Sequence, residues 1–137
     1  MGMTRRSEAW LQIVQAVHGI ESSIEKSLSM RHGISLTEYR ALQHLAAARN
    51  QELRMQDLAG RLQLNQSSVT RLVERLERLG FTMRDVCPDD KRGVYTVLTE
   101  AGRRRLAEAE PDYEDRLAEA IAEQNPFAAL ENLREDA

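Results

Sequence analysis

Residues Met55 to Leu98 read MQDLAGRLQLNQSSVTRLVERLERLGFTMRDVCPDDKRGVYTVL, and this stretch decides the fold. Its first part repeats apolar residues at three- and four-residue steps, the period of an amphipathic helix. The first run comprises Met55, Leu58, Ala59 and Leu62, and the second comprises Val69, Leu72, Val73, Leu76 and Leu79. Between them Gln63 and Leu64 break the period, and Asn65 is a favourable N-cap. The pattern predicts two helices joined by a tight turn, the second closed by Gly80.

The second part of the stretch predicts a β-hairpin. Residues 82–86 and 94–98 alternate in polarity and are rich in β-branched side chains. The intervening CPDDKRG has the proline, aspartate and glycine of a turn, and it carries Lys91 and Arg92 at its tip. Two helices around a short turn, followed by a basic hairpin, predict a winged helix-turn-helix.

The second helix of this unit is polar, small and basic at its N-terminal end, where recognition helices touch base edges. Its candidate contacts to DNA bases and phosphates are Gln66, Ser67, Ser68, Thr70, Arg71 and Arg75. Ser67 is also well placed to help cap the helix start. The simpler interpretation is that these polar side chains are only a solvated helix face.

Further helices are predicted on both sides of this stretch. The first runs from about residue 7 to 29, and the second follows the capping box Ser35–Glu38 to about Ala48. After the hairpin, Thr99 caps another long helix, in which Pro111 is expected to produce a kink or a restart. Residues 125–126 mark a second break before a short last helix.

Composition limits the class of protein. The net charge of −3 is unevenly distributed: residues 54–105 hold eleven basic and seven acidic side chains, whereas residues 106–137 hold two basic and ten acidic ones. A basic middle favours an anionic partner there. No apolar run approaches the roughly 20 residues of a membrane-spanning helix, and the N-terminus lacks the apolar segment of a secretory signal. With Cys87 as its single cysteine, the chain suits a reducing cytoplasm.

The ordered series of motifs resembles the MarR family of bacterial transcription regulators. The matching segments are Leu36–Leu42, Ser67–Gly80, Arg84, Asp90–Gly93 and Leu98–Gly102. The resemblance implies that Asp90 orients Arg92 into the minor groove, with Lys91 near the DNA backbone. It adds Arg84 to the expected DNA contacts. It also implies a homodimer on a palindromic operator of double-stranded DNA, acting as a repressor.

The fold expected is mainly α (α+β), a winged helix-turn-helix with a two-stranded wing. Residues of about 35–99 form the DNA-binding lobe, and residues of about 1–34 and 100–137 form dimerisation helices. The terminal helices carry more apolar surface than a small winged domain needs, and a two-fold dimer covers such a surface. Packing of these helices within one chain is the alternative.

A small aromatic anion is the effector that the resemblance implies. Residues suited to line its pocket are Trp10, His18, Tyr39, Arg40, His44 and Tyr113. The three histidines match no metal spacing, and no phosphate loop or catalytic set stands out, so the sequence predicts neither an enzyme, a cofactor nor a metal site. Three alternatives stay open: a winged helix that binds protein instead of DNA, a redox switch at Cys87, and a catalytic Cys–His protein.

Overall fold

The computed structural model describes residues 2–86 and 94–135. Six helices occupy most of this part of the chain: α1 (Arg5–His32), α2 (Leu36–Ala47), α3 (Met55–Leu62), α4 (Gln66–Arg78), α5 (Glu100–Gln124) and α6 (Pro126–Glu135). Three short strands accompany them: β1 (Glu52–Arg54), β2 (Thr82–Val86) and β3 (Val94–Leu98). The predicted mainly helical, winged helix-turn-helix fold is therefore confirmed.

Side-chain caps mark the starts of α2, α4 and α5. Ser35 accepts from the Glu38 N–H at 3.0 Å and Glu38 accepts from the Ser35 N–H at 2.7 Å, so the predicted capping box is present. Asn65 accepts from the Ser68 N–H at 2.8 Å, as predicted. Thr99 likewise accepts from the Gly102 N–H at 3.1 Å. Each cap satisfies one backbone donor that the first helical turn leaves open.

Residues with positive φ set the helix ends. Gly33 has a φ of 67° and ends α1, and Gly80 has a φ of 81° after α4. In that conformation a glycine avoids the steric cost that a Cβ would bring. Helix α1 is longer than predicted because Thr4 accepts from the Ser7 N–H at 3.0 Å and starts the helix earlier.

The sheet has one strand more than the predicted hairpin. Its order is β1-β3-β2, antiparallel throughout, with Arg54 opposite Tyr95 and Tyr95 opposite Asp85. The sequence analysis predicted no strand before α3. A strand of three residues is too short to show alternation, and Asn50 and Gln51 just before it have positive φ.

The described chain falls into two compact units. Residues Ile34–Glu110 form the winged unit, and Met1–Gly33 with Pro111–Ala137 form the terminal-helix unit. The first part of α5 belongs to the winged unit, where Gly102 packs directly on the Phe81 backbone and Thr99 donates to the Gly80 carbonyl at 2.6 Å. The core of the winged unit includes Tyr39, Leu42, Leu45, Leu58, Val69, Val73 and Leu76.

In the terminal-helix unit α1 packs against α6 and buries small or aliphatic residues, namely Ala9, Ala16, Ile20, Ile24 and Leu28. Helix α5 continues through Pro111, so a restart there is wrong, and the kink that was the other expectation stays a prediction. A proline removes only its own backbone donor, and its neighbours keep theirs. The break at residues 125–126 is confirmed, because Asn125 has a φ of 45° and Pro126 is the first residue of α6.

Candidate nucleic-acid interface

Helix α4 is held in the winged unit by its apolar face. Val69, Val73 and Leu76 have no exposed surface, and Leu72 is also buried. Burying side chains of this size stabilises the packed helix by about 1.5–3 kcal/mol each. The apolar period therefore decides which residues of α4 face inward, and the polar residues between them necessarily face outward.

The outward face of α4 begins with two open residues, Gln66 and Ser67, and continues with the exposed Arg71. The Ser67 hydroxyl donates to Asn65 Oδ1 at 2.9 Å, and the Thr70 hydroxyl donates to the Gln66 carbonyl at 2.8 Å. These hydroxyls thus support the helix start as well as facing solvent. Gln66 and Arg71 are the residues of this face with the most reach toward a base edge.

Two further candidates on α4 are partly engaged. Ser68 is half-buried, and its hydroxyl accepts from Arg71 Nη2 at 3.4 Å. Arg75 donates from its Nε to the Oε2 of Glu38, a carboxylate on α2 that is only 2% exposed. Sequence reasoning found Glu38 as a capping residue but missed it as the partner of Arg75. No periodic pattern links the two, since 37 positions separate them along the chain.

Arg84 is an exposed residue of β2, and its side chain contacts α4. Its Nε donates to Glu77 Oε1 at 2.6 Å, and this hydrogen bond, with the charge of the same carboxylate, raises the pKa of Arg84 above its ordinary value. The guanidinium consequently keeps its charge at every pH of biological interest. Asp90, Lys91 and Arg92, which are predicted at the wing tip, and Cys87 lie outside the described residues.

A further cation on the wing was missed. The Arg54 Nε donates to the Tyr95 hydroxyl at 3.1 Å, and its guanidinium lies 5.3 Å from the centre of the Tyr95 ring. These residues face each other across β1 and β3. Since β1 itself was not predicted, nothing in the sequence placed this arginine beside this tyrosine.

The six residues suggested for an effector pocket divide between the two units. Tyr39, Arg40 and His44 lie on α2 in the winged unit, where Tyr39 is fully buried in the core. Trp10 and His18 are exposed on α1, and Tyr113 is half-buried on α5, all in the terminal-helix unit. A cavity of about 340 Å³ in that unit is lined by other residues: Ser23, Lys26, Ser27, Met30, Arg31 and Arg116.

Within residues 2–86 and 94–135, no group of three or more histidine, cysteine or acidic side chains is placed to hold a metal ion. In the same ranges, no helix combines the length and apolar character that crossing a membrane requires.

Comparison with known proteins relates the sequence and fold of this chain to one family. The sequence model of the MarR family matches residues 34–94. YkoM of Bacillus subtilis (strain 168), an uncharacterized HTH-type transcriptional regulator, is 37% identical over 98 residues. That match covers 72% of this chain and 62% of YkoM, so the chain spans less than two thirds of this relative's length.

Solved structures agree on the fold. Sco3205 of Streptomyces coelicolor, a MarR family transcriptional regulator in complex with DNA, matches with a TM-score of 0.82 at 25% identity, over 99% of this chain and 89% of its own. NadR in complex with 4-hydroxyphenylacetate matches with a TM-score of 0.68 at 23% identity, over 92% of this chain and 89% of its own. The family match, the curated relative and the fold agree: residues 34–94 match the MarR family, and the described chain has the fold of MarR family regulators.

Proposed function

We propose that this protein is a sequence-specific DNA-binding transcription regulator. The single observation that carries the proposal is the two-sided character of α4, whose apolar face is buried while Gln66, Ser67 and Arg71 stay exposed at its N-terminal half. A polar, basic helix start in a helix-turn-helix is the part that enters the major groove. The structure of Sco3205 with DNA supports the same role for this chain.

The wing supplies the second proposed contact. Arg84 is charged and lies on β2, and the sequence continues from this strand to the basic segment Asp90, Lys91 and Arg92. An arginine inserted in a narrow minor groove meets enhanced negative potential. We propose that Arg92 reads groove shape, that Lys91 contacts the backbone and that α4 reads bases.

A homodimer on a palindromic operator is the proposed active form. In the single chain, α1 and α6 leave large apolar side chains in solvent, among them Trp10 at 56% and Phe127 at 61% exposure. Val14 and Val17 on α1 and Leu130 on α6 add to this exposed surface. A second copy that packs on these helices removes the surface from water, and two-fold pairing is the commonest way to do so.

Repression that is relieved by a small aromatic or phenolic anion completes the proposal. NadR, which shares the fold, was solved with such a ligand. The predicted ligand contacts stay proposals within each unit: Trp10, His18 and Tyr113 in the terminal-helix unit, and Arg40 and His44 with the buried Tyr39 in the winged unit.

The test is selection of bound duplexes from random DNA by the full chain. We expect enrichment of a palindrome whose half-sites are separated by about 10 base pairs, because two recognition helices enter successive major grooves on one face. Binding should weaken steeply with salt, since phosphate contacts release counterions. A library from which nothing is enriched, at low as well as moderate salt, would favour the protein-binding alternative.

One variant distinguishes a redox switch at Cys87 from the proposed response to a small ligand. Cys87→Ser should bind the selected duplex as the wild type does and should respond to a panel of phenolic acids in the same way, because no role in DNA contact is assigned to this thiol. Release of the wild type, but not of Cys87→Ser, by mild peroxide would instead identify Cys87 as the switch.

A further inference from the structure

The winged unit buries one carboxylate that the proposed function does not use. Glu38 is 2% exposed, and both of its oxygens are engaged: Oε1 accepts from the Ser35 N–H at 2.7 Å and Oε2 accepts from Arg75 Nε. An ionised carboxylate is costly to bury unless it is paired and hydrogen-bonded. A neutral cap would satisfy the helix start equally well, so the charge of Glu38 is matched to Arg75.

The guanidinium of Arg75 is held at its Nε edge by Glu38, whereas its side chain is half exposed to solvent. Its side chain is 51% exposed, and between described residues its hydrogen bonding comes from Nε alone. A guanidinium carries five N–H donors in a rigid plane, so its two terminal nitrogens keep four of them. Arg75 lies one helical turn after Arg71, on the recognition helix itself.

We propose that Glu38 is a positioning residue for a DNA phosphate contact made by Arg75. The buried carboxylate fixes the Nε edge of the guanidinium and thereby directs its terminal nitrogens toward the backbone of the bound duplex. A planar, preoriented guanidinium loses less freedom when it meets a phosphate than a freely rotating one does. Glu38 itself is buried, so it acts only through Arg75. This inference rests on the proposed DNA binding.

If Glu38 acted only through its charge, the change in DNA affinity on removing that charge would have the opposite sign. Removing a negative charge near DNA should strengthen binding, because less repulsion remains between protein and phosphates. Positioning predicts instead that Glu38→Gln weakens binding, although the variant is less negative. The matched control is Glu74→Gln, which removes an exposed charge beside Arg75 on the same helix. We expect this control to bind as tightly as the wild type or more tightly.

The experiment is a double-mutant cycle in DNA affinity, measured with the duplex that the wild type selects. We expect Glu38→Gln to weaken binding by about tenfold in the wild-type background and by less than about twofold in the Arg75→Gln background, since coupled residues are not additive. Arg75→Gln and Glu38→Gln should both flatten the dependence of log affinity on log salt, by about one unit for each phosphate that the protein no longer neutralises.

A Glu38→Gln variant that unfolds at the assay temperature is replaced in the same cycle by Glu38→Asp, which keeps the charge but shortens the side chain. We expect it to show the same coupling with Arg75. Equal losses in both backgrounds, or tighter binding by Glu38→Gln, overturn the inference and leave DNA binding intact. A wild type that selects no duplex overturns the proposed function and this inference together.

Discussion

The two units differ in how they cover their apolar helix faces. In the winged unit the apolar residues that repeat along α4, such as Val69, Val73 and Leu76, have no exposed surface. In the terminal-helix unit the first half of α1 leaves Trp10 and Val17 in solvent, although they follow the same helical period. This difference supports the proposal that the terminal-helix unit packs against a second copy of the chain.

The largest effect is expected when a charge is introduced into the exposed apolar stripe of α1, which comprises Trp10, Val14 and Val17. Val17→Glu should convert a dimer into a monomer and weaken binding to a two-half-site duplex by at least about 100-fold, because the second half-site then no longer benefits from linkage. Sedimentation and DNA titration check both statements. The control Ala47→Glu places the same charge on an exposed position of α2. A dimer that persists in Val17→Glu would remove this stripe from the interface.

A glycine in each unit tests how firmly each is packed. A Cβ on Gly102 would lie 2.3 Å from the Phe81 carbonyl oxygen, a backbone atom that cannot swing away. We expect Gly102→Ala to lower the free energy of unfolding by about 1–3 kcal/mol, as overpacking does.

In the terminal-helix unit, a Cβ on Gly19 would meet the end of the Gln124 side chain at 2.6 Å. That amide can rotate, and alanine is the better helix former by about 1 kcal/mol, so Gly19→Ala should be neutral or stabilising. Chemical denaturation of both variants measures the contrast. Equal losses at the two positions would show that the two contacts are equally rigid.

The smallest effect concerns an ion pair at the end of α1. His32 Nε2 lies 2.5 Å from Asp112 Oδ2, and this hydrogen bond, together with the charge of Arg31, holds the pKa of Asp112 below its ordinary value of 3.8. A lowered carboxyl pKa contributes stability above the ordinary value, and that stability is lost as pH falls through the lowered one.

Asp112→Asn should therefore be slightly less stable than the wild type at neutral pH, with a difference that shrinks below the ordinary carboxyl pKa and disappears once the pH is below the lowered pKa. Thermal unfolding at a series of pH values measures this, with Asp115→Asn as the exposed neighbouring control. A difference that stays constant into strong acid would mean that the carboxylate charge of Asp112 contributes nothing.

The sequence anticipated most of the fold because local signals agreed with one another. The capping residues Ser35, Asn65 and Thr99 sit before apolar helical periods, and these determine helix starts and inward faces without knowledge of the rest of the chain. The wing strands followed from alternation in the same way. Strand β1 was absent from the prediction, because its pairing with β3 is a long-range contact of three residues.

The candidate site was less accessible to sequence reasoning. Exposed polar positions on α4 followed from the period, but the Glu38–Arg75 pair joins two helices that are distant in sequence. The stacking of Arg54 on Tyr95 depends on strand register in the same way. Contacts of this kind depend on tertiary packing, and residue types alone do not specify which charges meet.

The central claim is that α4 reads DNA bases, and Arg71 tests it most directly. We compare Arg71→Ala with Arg104→Ala, which removes an arginine that is also exposed but lies on α5, against the selected duplex and its single-base variants. We predict that Arg71→Ala loses about 1–3 kcal/mol of discrimination at one base pair in each half-site, whereas Arg104→Ala keeps the wild-type preference. Identical base preferences in the wild type and Arg71→Ala, with affinity reduced equally for every sequence, would contradict base reading by this side chain.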